Sequence, residues 1–243
     1  MIKEKYVKTT IYISLFVQFL TTVLSYDGMY YKLKEKDSVL SDVLKLEIIV
    51  QVIEAAFYIW VIFSLKNMKD ITPRRYIDWA ITTPTMLLSS IIYMKYKEYQ
   101  EKNDPTILTF KGFIKDNKTN IKKIFILNAL MLLFGYLGET GKLDKNTSIF
   151  IGFIFFFWYF KIIYDEYAKH SSAGKKLFYF LLVIWGFYGI AAKLGTVNKN
   201  ISYNTLDIIA KNFYGLFIYY IVRKKGKKEN QKIEDIKGFE GWM

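Results

Sequence analysis

Apolar residues fall in seven long blocks along the chain, near residues 9–26, 39–65, 76–94, 121–138, 147–168, 175–197 and 201–222. Each block is about 18 residues or longer, enough for a helix to cross a hydrocarbon layer of roughly 30 Å. Seven such blocks in succession predict an all-α membrane protein, a bundle of seven transmembrane helices, rather than a soluble domain. The longest polar connection, near residues 95–120, has room for a short hairpin. The first block lacks a small-residue cleavage site and six others follow it, so no cleavable signal is expected. With no internal repeat and no low-complexity tract, the organisation reads as one domain, residues 1–225, followed by a basic tail, 226–243.

Composition agrees: 52% of residues are hydrophobic and 19% aromatic. The absence of cysteine removes disulfides and thiol chemistry. A net charge of +13 raises the question of nucleic acid, but the distribution of that charge argues against it. Basic residues concentrate in the connections after the first, third and fifth blocks and in the tail, "RKKGKKENQKIEDIKG". The positive-inside rule makes that side cytoplasmic and places the N-terminus outside. The expectation is a multi-pass integral membrane protein with a cytoplasmic C-terminus, the lipid bilayer as partner and no nucleic acid. The tail is read as a solvated segment beside the membrane, and His170 as a solvated residue of a cytoplasmic loop.

Charges inside the blocks are functional candidates, because ionisable groups at membrane depth are costly. In "NTLDIIAKNFYGLFIYYIV" Asp207 and Lys211 are four apart and share a helix face. Two readings follow. The pair fastens helices as a buried salt bridge, or Lys211 is a desolvated amine that forms a Schiff base, with Asp207 in its counterion. In "RRYIDWAITTPTML" Arg75, Asp78 and Thr82 share a face of the third block. Both blocks run inward in the orientation above, so Arg75, Asp78 and Asp207 converge just outside Lys211. On the second block Glu47, Gln51, Glu54 and Tyr58 stand at spacings of four, three and four, with Glu54 near mid-membrane. Ser14 and Gln18 form a shorter polar pair on the first block, and Asn204 lies one turn outside Asp207. Such faces either join helices by hydrogen bonds or line a wettable path for cations. Lys161 in the fifth block snorkels or pairs with Glu54 or another carboxylate. No residue set reads as a metal site.

Four stretches resemble the microbial (type 1) rhodopsins: "RYIDWAITTP" (75–84) their third-helix motif, "LDIIAK" (206–211) their retinal-lysine motif, "WGFY" (185–188) their sixth-helix aromatic motif, and "MLLFGYLGE" (131–139) a fourth-helix stretch of proteorhodopsin-like members. They occur in order, and the resemblance runs from the first block through the seventh. It implies all-trans retinal bound covalently to Lys211 as a protonated Schiff base. Asp78 is then the primary counterion and proton acceptor, Asp207 the secondary one, and Arg75 balances them. Trp79 and Trp185 lie against the two faces of the polyene, and Thr83, Pro84, Met86 and Tyr188 line the pocket. Without the resemblance the two tryptophans read as packing aromatics. A kink at Pro84 frees backbone beside the chromophore, which Thr82 or Thr83 can re-satisfy.

The departures from the family are informative. In its outward proton pumps a carboxylate follows the counterion by eleven residues; here that position is Ser89, giving the signature Asp78, Thr82, Ser89. A serine cannot store a proton near neutral pH. Lys199 stands where some pumps carry a release glutamate, Gly189 where proline is usual, and Ala192 where a ring-facing tryptophan is common, which implies a looser pocket. Ser14, Glu47, Glu54 and Asn204, together with the Asp-Thr-Ser signature, most resemble the viral rhodopsin branch. The ion path then comprises Ser14, Glu47, Gln51, Glu54, Ser89 and Asn204. The implied function is light-activated ion transport rather than enzymatic catalysis: a light-gated channel for protons or small monovalent cations. A light-driven outward proton pump is the alternative and a photosensory receptor the second, disfavoured by the lack of a transducer domain after the tail. A homo-oligomer is compatible with all three.

Overall fold

The computed structural model describes residues 2–63 and 71–240, and among these no strand occurs. The helices are α1 (Ile2–Asp27), α2 (Val39–Phe63), α3 (Ile71–Glu101), a short α4 (Phe110–Asp116), α5 (Lys118–Glu139), α6 (Lys145–Glu166), α7 (Ser172–Ala191) and α8 (Thr196–Asp207). α8 passes without a break through a π-helical turn, Ile208–Asn212, into α9 (Phe213–Glu240). α2 packs between α1 and α3, α5 against α6 and α3, and α7 against α3 and α6. The α8–α9 run closes the arrangement against α1, α2 and α7.

Polarity is distributed inside out. Arg75, Glu47, Glu54 and Asp207 are all at 0% exposure, while Phe63 is 83%, Phe150 68% and Phe19 67% exposed. A chain in water does the reverse. Here the outer surface is the apolar one, and the surrounding medium must be hydrocarbon. Five helical stretches are long and apolar enough to cross a membrane: Lys5–Tyr30, Glu35–Phe63, Lys118–Glu139, Lys145–His170 and Ser172–Ala191. α3 and the α8–α9 run fall outside that set; the polar side chains that build the site described below lower their hydropathy.

Several boundaries differ from the sequence expectations. No hairpin forms between residues 95 and 120. α3 runs on to Glu101, the chain turns at Asn103 with φ 52°, and α4 follows, capped by Thr109, whose Oγ1 accepts from the Gly112 N–H. The sixth block was expected to reach residue 197, but α7 ends at Ala191 and Gly195 is the N-cap of α8. Apolar Ala191, Ala192 and Leu194 mask that turn in the hydropathy pattern. The tail does not separate from the seventh block: α9 continues to Glu240. It is held at this end by Lys225, whose Nζ lies 3.1 Å from both oxygens of the buried Asp37, and by Glu229, 3.6 Å from Lys34. Residues 64 and 65 of the second predicted block lie outside the described residues.

Glu101 ties the end of α3 to the start of α7. Its carboxylate accepts from the backbone N–H groups of Ser172 (2.6 Å) and Ala173 (3.1 Å), and these two bonds hold it below the usual carboxylate range. A carboxylate at an exposed helix N-terminus stabilises by about 0.5 kcal/mol. With the native value lowered, this stabilisation is complete above the ordinary glutamate range and is lost as pH falls through the native value. Glu101→Gln should therefore lower the thermal midpoint at neutral pH by roughly 1–2 °C, the shift expected of that energy in a chain of this size. Circular-dichroism melts of the two proteins should converge in acid, and an equal gap at neutral and acid pH would show that the clasp does not stabilise the fold.

Candidate functional site

The site forms where α2, α3 and the α8–α9 run meet. Lys211, 2% exposed, sits in the π-helical turn. Its Nζ donates to Asp78 Oδ2 at 2.8 Å and lies 3.1 Å from Glu54 Oε1 and 3.6 Å from Asp207 Oδ1. The sequence expectation gathered two carboxylates around this amine and left Glu54 to the ion path. The structure corrects this: Glu54 is the third member of the cluster and nearer to Nζ than Asp207. The spacing on α2 placed Glu54 at the right depth, but nothing in α2 alone said which helix its face meets.

Arg75 closes the cluster on the side of the N-terminus. Its Nη1 donates to Asp207 Oδ2 at 2.9 Å, and Nη2 donates to Asn204 Oδ1. The guanidinium lies over the rings of Phe57, Tyr58 and Tyr203, 5.4–5.7 Å from their centroids. Asp207 is fixed further by Tyr58, whose hydroxyl donates to Oδ2 at 2.7 Å, and by Tyr188, whose hydroxyl donates to Oδ1 at 2.8 Å. Asn204 Nδ2 reaches Thr10 at 2.8 Å, and Ser14 donates to the Asn204 carbonyl at 3.1 Å. Three carboxyl groups thus face two cations. Fully ionised they would leave one net negative charge in a buried site, which its surroundings disfavour.

An apolar cavity opens from Lys211. Trp79, Thr83, Met86, Trp185 and Tyr188 line it, with Tyr76, Met131, Gly152, Phe156 and Ala210. Trp79 stands edge-on to Tyr76, Tyr188 and Tyr203, with centroids 5.0–5.6 Å apart. Pro84, expected in this lining, is not part of it. It lies within α3, and neither threonine bonds the Ala80 carbonyl that a proline at 84 leaves without its usual donor. Thr82 donates to the Asp78 carbonyl (3.0 Å) and Thr83 to the Trp79 carbonyl (2.7 Å). Thr83 also accepts from Asn128 Nδ2 at 2.8 Å, which joins α3 to α5. A Cβ at Gly189 would collide with the ring of Phe153, so the aromatic fills the space a side chain would take. Ala192 does line the cavity.

On the other side of Lys211, Ser89 donates to Glu47 Oε1 and lies 3.5 Å from the Tyr214 hydroxyl. Gln51 lies between Glu47 and Glu54 on α2, its amide packed where Gly215 has no side chain. Three other residues are placed away from the site. Lys161 is exposed and pairs with Asp165 at 2.7 Å, not with Glu54. Lys199 is buried and meets both oxygens of Glu139 at 2.6 Å, a link from α5 to α8 across 60 residues that spacing could not announce. His170 is half-buried rather than fully solvated, its Nε2 3.2 Å from the Asp165 carbonyl.

Green-light absorbing proteorhodopsin of Gamma-proteobacterium EBAC31A08 is 23% identical over 171 residues, 62% of this chain and 61% of that protein's length. Among solved structures, viral rhodopsin OLPVRII superposes with a TM-score of 0.74 at 25% identity, covering 90% of this chain and 98% of its own. Thermophilic rhodopsin superposes with a TM-score of 0.71 at 21% identity over 93% and 96% of the two chains. Residues 7–225 match the family model of the bacteriorhodopsin-like proteins, and with a buried lysine among carboxylates at the mouth of an aromatic cavity, the chain belongs to that family and is a multi-pass membrane protein of the microbial rhodopsin kind.

Proposed function

We propose that this rhodopsin is a light-gated conduit for protons and small monovalent cations, built as seven transmembrane helices with the N-terminus outside and the C-terminus cytoplasmic. The family's chromophore fits the residues present. Lys211 offers a primary amine at the cavity's end, the lining is long, apolar and aromatic, and Asp78 Oδ1 is a buried oxygen with no partner. All-trans retinal, joined to Lys211 as a protonated Schiff base, supplies the light-driven isomerisation. Trp79, Trp185, Thr83, Met86 and Tyr188, which line the cavity, would hold it.

Asp78 is the acceptor placed for the proton on Lys211 Nζ, with Thr82 bonded to its backbone. When that proton passes to Asp78, Glu54 and Asp207 lose the cation between them. Two buried carboxylates left close together repel, and the site gains affinity for a mobile cation. One observation carries the conduit reading: Glu54, on the polar face of α2, touches the amine that light discharges. Ser14, Asn204, Arg75 and Asp207 lead outward from it, and Gln51 and Glu47 lead inward. A second reading, an outward proton pump, is favoured by the hydrogen bond from Ser89 to Glu47. It lets a carboxyl of α2 return the proton to Nζ where α3 offers only the serine of the Asp-Thr-Ser signature.

The deciding measurement is voltage-clamped photocurrent. A current whose reversal potential follows the sodium or potassium gradient is the expected result; outward current at every accessible voltage would transfer the assignment to the pump. Lys211→Ala should purify without colour, and absorption of visible light by that variant would place the chromophore elsewhere. Asp78→Asn should shift absorption to longer wavelength and slow loss of the Nζ proton by about a hundredfold or more, the usual worth of a positioned acceptor. Glu54→Gln should shift colour in the same direction by less, since its contact with Nζ is longer and lacks hydrogen-bond alignment. Flash spectroscopy of the two variants checks the order, and an unshifted Glu54→Gln spectrum would remove Glu54 from the counterion.

A further inference from the structure

A second line of buried polar groups continues from Ser14 along α1, and its members past Ser14 are not used by the site above. On α1, Ser14, Gln18, Thr21 and Ser25 stand at spacings of four, three and four, one continuous helix face. None is more than 2% exposed. The face is turned to the α8–α9 run, because Ser14 donates to the Asn204 carbonyl and Thr21 meets Asn212 Oδ1. Yet the seam is poorly satisfied. Both amide atoms of Gln18, the hydroxyl of Ser25 and Asn212 Nδ2 have no partner. Apolar packing against such groups at membrane depth is costly, whereas a water with two to four polar neighbours satisfies them. At the far end, Tyr219 donates to Asp27 at 2.9 Å, so a carboxylate stands at the mouth.

The chemistry of this seam differs from that of the neighbouring α2–α3 pair. Glu47 and Ser89 bond each other and can relay a proton. The α1 seam offers neutral carboxamide and hydroxyl oxygens, the ligands that replace part of the hydration shell of a monovalent cation without trapping it. We infer that the seam lined by Gln18, Thr21, Ser25 and Asn212 is a hydrated passage for water and small monovalent cations, a branch of the conduit that runs from Lys211 to the cytoplasm beside the Gln51–Glu47 face. The cation assignment rests on the conduit reading; the hydration rests on the unpaired groups.

The chain has no cysteine, so single cysteines report access directly. Ser25→Cys and Gln18→Cys would be compared with Phe19→Cys, which differs from position 18 by one residue but is turned outward to lipid. The probe is a small cationic methanethiosulfonate applied to the cytoplasmic face of membranes, in darkness and in light. A thiol reacts as its thiolate, which forms only in water, so positions 18 and 25 should react about tenfold or more faster than position 19. Modification should cut cation photocurrent severalfold with the absorption maximum unchanged. Reaction at 18 and 25 no faster than at 19, in a protein that does pass cations, would overturn the seam while leaving the conduit. Fast reaction in a protein with no gradient-dependent current would overturn the conduit and the cation assignment, and leave a water-filled seam. Should Gln18→Cys not yield coloured protein, Ser25→Cys, a change of one atom, carries the test.

Discussion

The protein is organised around one electrostatic necessity: an amine at membrane depth stays charged only if carboxylates reach it. Lys211 has three within 3.6 Å, each from a different helical element, so α2, α3 and α8 are fixed in rotation and depth by the same group. Arg75 is the second cation that lets three acids coexist. Because each member's charge is set by the others, moving one proton redistributes the field of the whole group. That is a useful property in a light-driven protein, since the initial event has to be felt by side chains it does not touch.

Around this centre the chain divides its interior by chemistry. The side towards α5, α6 and α7 is aromatic and dry, with Trp79, Trp185, Phe153 and Phe156 packed around the cavity. The side towards α1 and α2 is polar and under-paired, with Gln18, Gln51 and Glu54 holding atoms that bond nothing. Rigid aromatic packing suits a pocket that must hold one shape, and under-paired buried polar groups suit a region that admits water. Beyond the hydrophobic layer the ends are clasped by charge, at Asp37 with Lys225 and at Glu101 with the start of α7.

Much of this was legible in the sequence, and the exceptions have a common cause. Helical spacing brings Asp207 and Lys211 onto one face, and Arg75 and Asp78 onto another, and the alternation of runs predicts that the two faces meet. Spacing on one helix does not say which neighbour that face addresses. For that reason the sequence assigns Glu54 to the conduit alone, leaves Glu139 and Lys199 unpaired, and gives Lys161 no definite partner. The ring that occupies the space beside Gly189, Phe153, belongs to another helix and leaves no sign in the sequence around Gly189. Turns hidden within apolar residues, such as the one at Ala192–Gly195, leave no hydropathy signal, and a helix-forming charged tail looks the same as a solvated loop.

The π-helical turn has a consequence for how the closing helix can vary. Its wider winding sets consecutive residues to either side of the line through Asp207, so Lys211 reaches α3 while Asn212 reaches α1. One extra residue per turn is, in register terms, an insertion that the helix has absorbed. Removing a single residue there would restore a regular winding and leave the later side chains facing nearly as they do now, but would take Lys211 or Asn212 off the partner it reaches. Tyr214, Tyr219 and Lys225, which lie beyond the turn, would keep the sides they now face. The extra residue therefore bears on where Lys211 and Asn212 point, and the helix beyond the turn keeps its register whether or not the turn is there.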